Sequence, residues 1–322
     1  MVVPIMRLVF LGASRFGLRC LDLMRGLPCV EIVGVVTTPK TFPISYRPTG
    51  VTNVLHADIA TYASVHGFPA ITMERSMGDH GLLETVASWR PKIFLVSGWY
   101  HLIPPSWRKI APAYGLHASL LPDYSGGAPL VWAMINGETR TGITLFELAD
   151  GVDNGPILGQ SSTEIRDGDS IATLYERIEE LGLGLIREHL PKLAAGTAKF
   201  KQQVGARRRI FPQRRPEDGK IDWAWPAMRI HNFIRAQTSP YPGAFSTIAG
   251  ESISIWQSAQ IYYSGTTLKP GRLLLHNSRL LVGCGNGEVL ELLKLGPKGV
   301  DEKAQNWMQA IKEGKYNQFD TV

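Results

Sequence analysis

The feature that most constrains the fold is the alternation of strand-like and helix-like segments in the first 40 residues. An apolar run at residues 7–11 is followed by a turn that contains glycine, at residues 12–17. Residues 18–27 then carry apolar side chains at helical spacing, and residues 30–38 (VEIVGVVTT) form a second apolar, β-prone run. A strand, a helix and a strand in this order predict an α/β fold with a mostly parallel sheet.

Segments of the same kind continue along the first part of the chain. We predict helices at 57–66 and 172–190, and strands at 92–96, 143–148 and 156–160. Pro191 is expected to end the long helix, because proline lacks a backbone donor. Residues 39–53, rich in Pro, Ser, Thr and Gly, are predicted to form an exposed loop. The turn GASRFG lacks the G-x-G start of the dinucleotide fingerprint, which disfavours a nicotinamide site.

A change in composition marks the second part of the chain. Residues 199–220 are polar and basic and contain Pro212 and Pro216, which predicts a linker between a domain at 1–198 and a smaller one at 221–322. A helix is predicted at 223–238 and a final helix at 301–313. Short strands are predicted at 244–248, 252–255, 272–275, 280–283 and 289–295. This pattern is typical of a small, partly open β-barrel.

Cysteine usage and apolar run length restrict the environment of the protein. The 322 residues include three cysteines, Cys20, Cys29 and Cys284, without a C-x-x-C motif. Cys20 and Cys29 have apolar neighbours, which favours buried thiols and a reducing, cytoplasmic location. The longest apolar runs fall far short of the roughly 20 residues that a membrane helix needs. The N-terminal stretch shows no cleavable signal pattern.

The net charge of +6 is unevenly distributed. Five arginines cluster within nine residues: Arg207, Arg208, Arg209, Arg214 and Arg215. A basic balance can indicate nucleic acid or an anionic small substrate. The cluster is therefore either a solvated linker or a surface that meets phosphate groups, and the sequence leaves both alternatives open.

The stretch at 115–160 holds the candidate catalytic residues. His117 lies just before SLLP, and Gly126 and Gly127 permit close backbone approach. Asp153 lies in ADGVDNG, a loop between two predicted strands. A His and an Asp on loops at the carboxyl ends of strands are well placed to form a site. Either residue alone is weak evidence, because an Asp beside Gly and Asn is usually a turn residue.

The combination of these residues is more specific. It resembles the folate-dependent formyltransferase family, whose core reads approximately N-x-H-x-S-L-L-P, a glycine-rich loop, T-G-x-T and G-x-D-x-G. The matching residues are His117, Ser119, Leu120, Leu121, Pro122, Gly126, Pro129, Thr141, Gly142, Thr144, Gly151, Asp153 and Gly155. The opening RLVFLGASRFGLRCLDLM is also similar to the family's first strand and helix. Residues 216–245 are similar to the carboxyl-terminal domain of methionyl-tRNA formyltransferases, and closer still to the formyltransferase part of enzymes that act on nucleotide-linked amino sugars.

The resemblance implies a Rossmann-like catalytic core at 1–198, an OB-like domain at 221–322 and 10-formyltetrahydrofolate as the formyl donor. VSGWYHLIP, at 96–104, looks like the family's loop around the pterin of this carrier. The implied carrier contacts are Val96, Gly98, Trp99, Tyr100, Leu102, Asp150 and Asp153. The implied acceptor contacts are Ser119, Gly126, Gly127 and Trp132. No metal ligand is implied.

The chemistry of the family gives His117 and Asp153 catalytic roles. A neutral amine attacks the formyl carbon, so a group must remove the amine proton and another must stabilise the oxyanion of the tetrahedral species. The imidazole of His117 suits either task, because imidazole exchanges protons near neutral pH. Asp153 can orient that ring and favour its protonated form. Ser119 is expected to hold the loop that follows His117.

One position departs from the family pattern. The family has Asn two residues before the His, where this chain has Gly115. The resemblance implies that this Asn donates a hydrogen bond to the formyl oxygen. A backbone N–H, a water or a residue such as Asn154 could replace it. Alternatively, the chain is a slow enzyme, or it keeps the fold as a folate-binding protein.

Two acceptor classes are compatible with the resemblance. In initiator-tRNA formylation, a basic loop after the second strand contacts the RNA, but residues 38–58 here carry only Lys40 and Arg47 as full positive charges. YSGGAPLVWAMINGE, which includes Trp132 and Asn136, resembles the amino-sugar branch. We therefore expect a small, nucleotide-linked amine, with methionyl-tRNA as the alternative. Some relatives hydrolyse the carrier instead. No membrane partner is expected, and the sequence leaves open whether the protein is a homodimer.

Overall fold

The computed structural model describes residues 4–44, 47–203, 208–296 and 309–320. The strands are β1 (Met6–Leu11), β2 (Val30–Thr37), β3 (Thr41–Ile44), β4 (Arg47–Thr52), β5 (Ala70–Thr72), β6 (Ile93–Val96), β7 (Ala113–His117), β8 (Ser125–Gly126), β9 (Arg140–Glu147), β10 (Ile157–Glu164), β11 (Ile210–Phe211), β12 (Ala244–Ile248), β13 (Glu251–Gln260), β14 (Leu273–His276), β15 (Arg279–Gly283) and β16 (Val289–Leu295). The helices are α1 (Arg15–Arg25), α2 (Ile59–Val65), α3 (His80–Ser88), α4 (Pro105–Ile110), α5 (Pro129–Ile135), α6 (Ile171–Ala194) and α7 (Ala227–Arg235), with 3₁₀ turns at Pro216–Gly219 and Gly285–Gly287.

The chain divides into two compact units. The first comprises residues 1–126, 141–163 and 176–210, and the second comprises 127–140, 164–175 and 211–322. The domain limits at residues 198 and 220 stay a prediction. Most of the predicted final helix at 301–313 lies outside the described residues, as does Arg207 of the arginine cluster.

The first unit is built on a seven-stranded sheet with the order β10-β9-β7-β6-β1-β2-β5. Strand β1 pairs in parallel with β2 and with β6, and β6 pairs in parallel with β7. Strand β7 meets β9 in antiparallel register. The predicted α/β fold with a mostly parallel, Rossmann-like sheet is confirmed.

The burial of the central strands explains why the sequence predicted them. The residues of β6 are all buried, as are five of the six residues of β1, which is the pattern of parallel strands covered on both faces. Helix α1 begins at Arg15, three residues before the predicted start, because the Ser14 hydroxyl accepts a hydrogen bond from Gly17 N at 3.0 Å. Such a cap satisfies one of the free donors of the first turn.

Two predictions about local structure were wrong. Residues 39–53 do not form only a loop, since β3 and β4 make an antiparallel hairpin that pairs Thr41 with Thr52. Phe42, 3% exposed, anchors this hairpin by its burial. Pro191 does not end α6, which continues to Ala194. A proline removes only its own N–H, and its carbonyl still accepts a hydrogen bond from Ala195 N at 3.0 Å.

The second unit contains a five-stranded sheet with the order β12-β13-β16-β15-β14. All four neighbouring pairs are antiparallel, which is consistent with the predicted small barrel. Helix α7 packs against β13 and buries Ile230, Phe233 and Ile234. Trp223 stacks on Phe319 with ring centroids 4.8 Å apart. The unit therefore has an apolar core of its own.

The structure agrees with the prediction that the cysteines are buried thiols. Cys20, Cys29 and Cys284 are buried free thiols, and burial raises the pKa of Cys20 and of Cys284 to about 12. Within the described ranges, no helix has the length and apolar character needed to cross a membrane.

Candidate active site

The site lies at the carboxyl edge of the parallel strands in the first unit. Val96, the last residue of β6, is paired with Gly115 of β7, and His117 ends β7 two residues later. On its other side His117 is paired with Thr144 of β9. The chain segment after β6 and the His117 side chain therefore emerge at the same edge, as expected for an α/β sheet.

The imidazole of His117 is fixed at one nitrogen and faces a carboxylate with the other. Nε2 lies 2.8 Å from the carbonyl oxygen of Tyr124, and the ring meets Phe146 edge-on. A carbonyl oxygen only accepts, so Nε2 carries the proton and donates it. Nδ1 is then the nitrogen that can gain or lose a proton, and it lies 3.6 Å from Asp153 Oδ2. The side chain of His117 is 12% exposed and that of Asp153 is 21% exposed, so the pair is mostly shielded from solvent.

Asp153 occupies a constrained loop between β9 and β10. Its φ is 48°, a left-handed conformation that Asp tolerates better than most residues. Its Oδ2 accepts a hydrogen bond from Gly126 N at 2.8 Å. The same carboxylate oxygen therefore links the His117 ring to the predicted glycine-rich loop.

Polar side chains fix the turn that follows His117. The Ser119 hydroxyl donates to Asp123 O at 2.7 Å, which supports its predicted role of holding this loop. The buried Thr144 hydroxyl donates to Ser119 O at 2.6 Å and accepts from Leu121 N at 3.2 Å. Gln160 donates to Leu121 O at 2.9 Å. The turn is thus held from two neighbouring strands.

The predicted carrier loop begins at buried Val96 and turns at Gly98. Gly98 has φ 61°, and an added Cβ would lie 1.8 Å from Ser14 Oγ, so only glycine fits there. Tyr100 donates from its hydroxyl to Asn53 Oδ1 at 3.1 Å. Leu102 is 81% exposed. The loop therefore combines a fixed start with an apolar side chain open to solvent.

Two ring nitrogens of this loop are buried without a protein partner. In the part of the chain that the structure describes, Trp99 Nε1 and His101 Nε2 make no hydrogen bond. The two rings lie 5.5 Å apart, and burial lowers the pKa of His101. Unpaired buried polar atoms are costly, so they suggest a ligand with hydrogen-bonding groups.

Asp150 is less enclosed than the other predicted carrier contacts. Its side chain is 87% exposed, and one carboxylate oxygen accepts from Arg108 Nη2 at 2.5 Å. The ion pair ties the loop before Asp153 to helix α4. The role of Asp150 in carrier binding stays a prediction.

Gly127 and Trp132, both predicted acceptor contacts, belong to the second unit. Gly127 is packed against Gln213, whose Cα would lie 2.5 Å from an added Cβ. The indole N–H of Trp132 donates to Pro212 O at 2.9 Å, and its ring contacts Phe211 and Arg214. These contacts give Trp132 a packing role, and its acceptor role stays a prediction.

The arginine cluster is less available than the sequence suggests. Arg209 forms a two-point ion pair with Asp123 at 2.7 and 2.5 Å. Arg214 donates to Gln237 Oε1 at 2.7 Å, and burial lowers its pKa. Each of these two arginines therefore contacts a side chain of its own unit and is not simply solvated.

Sequence analysis missed three groups that shape the site. Tyr124 contributes a main-chain carbonyl, which has no side-chain signature. Asn53, buried and bonded to Ala13 O at 2.9 Å, lies at the end of the segment predicted as a loop. Gln203, in the predicted linker, donates to the carbonyl of Asp153 at 2.9 Å. Among the described residues, no group of three or more His, Cys, Asp or Glu could hold a metal ion.

The first unit is a mostly parallel α/β sheet with a His–Asp pair at its carboxyl edge, and the second unit contains a small antiparallel sheet. The formyl transferase model matches residues 6–190, and the model for the formyl transferase C-terminal domain matches residues 214–312. The chain belongs to the formyl transferase family.

Curated relatives with similar sequences are methionyl-tRNA formyltransferases. The protein from Solibacter usitatus is 32% identical over 296 residues, which cover 91% of this chain and 92% of that protein. The protein from Geobacter metallireducens is 31% identical over 295 residues, 89% of this chain and 90% of that protein. These similarities extend across both units.

Solved structures share the fold at low sequence identity. The N-formyltransferase from Helicobacter canadensis, in complex with folinic acid and dTDP-3-aminofucose, has a TM-score of 0.66 at 17% identity and covers 90% of this chain and 100% of that one. WlaRD, a sugar 3N-formyl transferase, has a TM-score of 0.64 at 16% identity, covering 92% and 99%. HypX from Aquifex aeolicus, in complex with tetrahydrofolic acid, has a TM-score of 0.60 at 17% identity and covers 98% of this chain, which spans only 49% of HypX.

Proposed function

We propose that this chain transfers a formyl group from 10-formyltetrahydrofolate to a primary amine. The observation that carries the proposal is the placement of Asp153 Oδ2 3.6 Å from His117 Nδ1, in a member of the formyl transferase family. The other ring nitrogen is fixed by Tyr124 O, which leaves Nδ1 to exchange a proton. Asp153 stabilises the imidazolium that results when His117 takes the amine proton.

The carrier loop fits a folate donor, which supplies an activated formyl group. Trp99 Nε1 and His101 Nε2 are buried without partners in the described structure and can bond a heteroaromatic ligand. We assign the carrier to this loop (Val96, Gly98, Trp99, Tyr100 and Leu102) and to Asp150 and Asp153. Two of the solved structures with this fold contain folinic acid or tetrahydrofolic acid, which supports the assignment.

For the acceptor we favour the amine of a small, nucleotide-linked sugar. The β3–β4 hairpin and its flanks carry few positive charges, with Lys40 and Arg47 as the only full ones between residues 38 and 58. Because RNA binding depends on charge neutralisation, this segment is a poor match for an acceptor stem. Arg209 and Arg214 are also engaged inside the protein. The Helicobacter canadensis N-formyltransferase, which has the same fold, was solved in complex with dTDP-3-aminofucose, a compound of this class, and this supports the proposal.

Methionyl-tRNA is the second candidate acceptor. The observation that favours it is the sequence similarity to methionyl-tRNA formyltransferases, at 31–32% identity. Tight binding of initiator methionyl-tRNA that weakens steeply with salt would establish this candidate over the small amine.

The donor and the reaction type are tested together. The protein is incubated with 10-formyltetrahydrofolate, and the absorbance change on formation of the deformylated carrier is followed with and without a primary amine. We expect turnover that requires the amine. Turnover without any amine would show a hydrolase, and tight carrier binding without turnover would show a binding protein, so that either result contradicts the proposal.

The assigned centre is tested by His117→Ala and Asp153→Asn. Each substitution should lower kcat by at least about 100-fold, because each removes a group that acts in proton transfer. The exposed residue His80 provides the matched control, and His80→Ala should keep the parent rate. Activity that survives both substitutions would move the centre elsewhere.

A further inference from the structure

We propose that Gln203 is a positioning residue that holds Asp153 within reach of His117. The inference rests on the proposed function, because it assigns Gln203 to the same centre. Gln203 lies 50 residues from Asp153 in the sequence, in the segment after α6. Three observations support the proposal: a backbone pairing near Gln203, two hydrogen bonds from its side-chain amide, and the left-handed conformation of Asp153.

A backbone pairing brings the segment to the loop. Lys201 N donates to Ile157 O at 2.8 Å, and Ile157 N donates to Lys201 O at 2.7 Å, in an isolated antiparallel bridge. Residues two positions further along one strand and two positions back along the other face each other in such a pairing. Gln203 is thereby placed opposite Gly155.

The side-chain amide then clamps the loop. Gln203 Nε2 donates to the carbonyl of Asp153 at 2.9 Å and to the carbonyl of Gly155 at 2.7 Å. A glutamine amide nitrogen has two hydrogens, so both are used, one on each side of Asn154. The distance between these two carbonyls is therefore set by one rigid group.

The clamped backbone is the part that carries the catalytic carboxylate. Asp153 has φ 48°, and a residue in such a region keeps this conformation only where its surroundings impose it. Gly155 is equally constrained, since an added Cβ would lie 1.8 Å from Glu147 O. By fixing the carbonyl of Asp153, Gln203 fixes the direction in which the carboxylate reaches Gly126 N and His117 Nδ1.

A packing role alone does not account for Gln203. Its Oε1 is buried and, among the residues that the structure describes, has no hydrogen-bond partner. A buried acceptor without a partner is destabilising, and an apolar side chain of similar size would avoid that cost. The donor end of the amide is the feature that the loop uses.

The test compares Gln203→Met and Gln203→Glu with the parent. Both keep the length of the side chain and remove the two donors, and Gln203→Met also suits a buried position. Gln202, which is exposed and immediately precedes Gln203, provides the matched controls Gln202→Met and Gln202→Glu. Hydrogen exchange of residues 150–156, kcat, KM and the melting temperature are measured for all five proteins.

We expect faster exchange in residues 150–156 and a fall in kcat of about 10- to 100-fold, with KM for donor and amine little changed, since misplacing a catalytic group mainly affects the chemical step. In an Asp153→Asn background, Gln203→Met should add almost no further loss under single-turnover conditions, because the two residues act as one unit. The Gln202 variants should match the parent.

Three results would overturn the proposal: unchanged loop exchange in both Gln203 variants, equal losses in the Gln202 variants, or a Gln203→Met loss that is fully additive with Asp153→Asn. Failure of both Gln203 variants to fold would likewise assign Gln203 a structural role. If the parent protein shows no formyl transfer, the proposed function fails, whereas the exchange measurement still decides whether Gln203 holds the loop.

Discussion

At the residue scale, position 115 holds Gly where the resemblance to the family implies Asn. Gly115 is buried in β7, between Val96 of β6 and Phe146 of β9. An added Cβ would lie 3.0 Å from Leu148 Cδ2 and 3.5 Å from Phe146 Cε1. The nearest atom is the end of a flexible side chain, so the strand can accept a side chain here after a shift of a few tenths of an ångström. Side chains two positions apart on a strand share a face, which places residue 115 on the His117 side.

We therefore expect Gly115→Asn to fold and to raise kcat. The substituted amide would donate toward the formyl oxygen, and one donor in the oxyanion hole of a serine protease is worth on the order of 100–1,000-fold. Gly115→Ala is the matched control, because it adds the Cβ without the donor. Steady-state rates for both variants decide the point. A kcat that stays at the parent value in Gly115→Asn would show that another group already stabilises the oxyanion.

The sequence predicted the two side chains of the candidate centre but not the groups that position them. The motif singled out His117 and Asp153, and the structure places Asp153 Oδ2 3.6 Å from His117 Nδ1, while their catalytic role stays a prediction. The partner of His117 Nε2 is a main-chain carbonyl, which any residue at position 124 supplies. Gln203 reaches the site only because a bridge at Lys201 folds the segment back. Long-range contacts of this kind leave no local pattern.

At the scale of elements, the β3–β4 hairpin supports the candidate carrier loop. Phe42 packs against Tyr100 and His101 with ring centroids 5.4 Å apart in each case. It is 3% exposed, so most of its surface is covered. The segment that the sequence predicted to be a loop is therefore part of the framework of the site.

Phe42→Ala should lower the free energy of unfolding by about 3–5 kcal/mol, the range for a buried phenylalanine. It should also raise KM for 10-formyltetrahydrofolate, because Tyr100 and His101 lose their packing partner. Phe200, 40% exposed, provides the control Phe200→Ala, for which we expect a smaller loss of stability and an unchanged KM. Urea unfolding and donor titration measure the two effects. An unchanged KM in Phe42→Ala would separate the hairpin from carrier binding.

The sequence predicted strands correctly where nearly every residue of the strand is buried. Strands β1, β2 and β6 are apolar runs, and their positions were predicted to within one residue at each end. Strand β5 has three residues and helix α4 has six, which is too short for a periodic signal. The end of α6 was misplaced because Pro191 was weighed without the packing that keeps Leu190 buried. Tertiary contacts decided these cases.

At the scale of the whole molecule, one buried and two partly buried histidines are expected to contribute to the response to mild acid. Burial lowers the pKa of His101, His189 and His231 from the ordinary value of 6.5. Each binds a proton more readily in the unfolded chain than in the folded one. The unfolded state therefore gains protons first as the pH falls through 6.5, and stability is lost there. The lowered pKa values of Asp22 and Asp58 act at lower pH, since both start from 3.8.

We expect the free energy of unfolding to be smaller at about pH 5.5 than at about pH 7.5, in the direction that proton linkage requires. His231→Gln should reduce this difference, because one of the three groups is then absent. The exposed control His80→Gln should leave it unchanged. Urea unfolding at the two pH values gives the comparison. Equal stability at both pH values would show that these histidines bind protons equally well in the folded and the unfolded chain.

The most direct test of the account is formyl transfer to a defined acceptor by the parent protein and by Asp153→Asn. The protein is given 10-formyltetrahydrofolate and a dTDP-linked 3-amino sugar, and the sugar product is analysed for an added formyl group by mass spectrometry. We predict an N-formylated sugar with the parent and a rate at least about 100-fold lower with Asp153→Asn. Formylation of methionyl-tRNA but not of the sugar would contradict the acceptor, and undiminished transfer by Asp153→Asn would contradict the assigned centre.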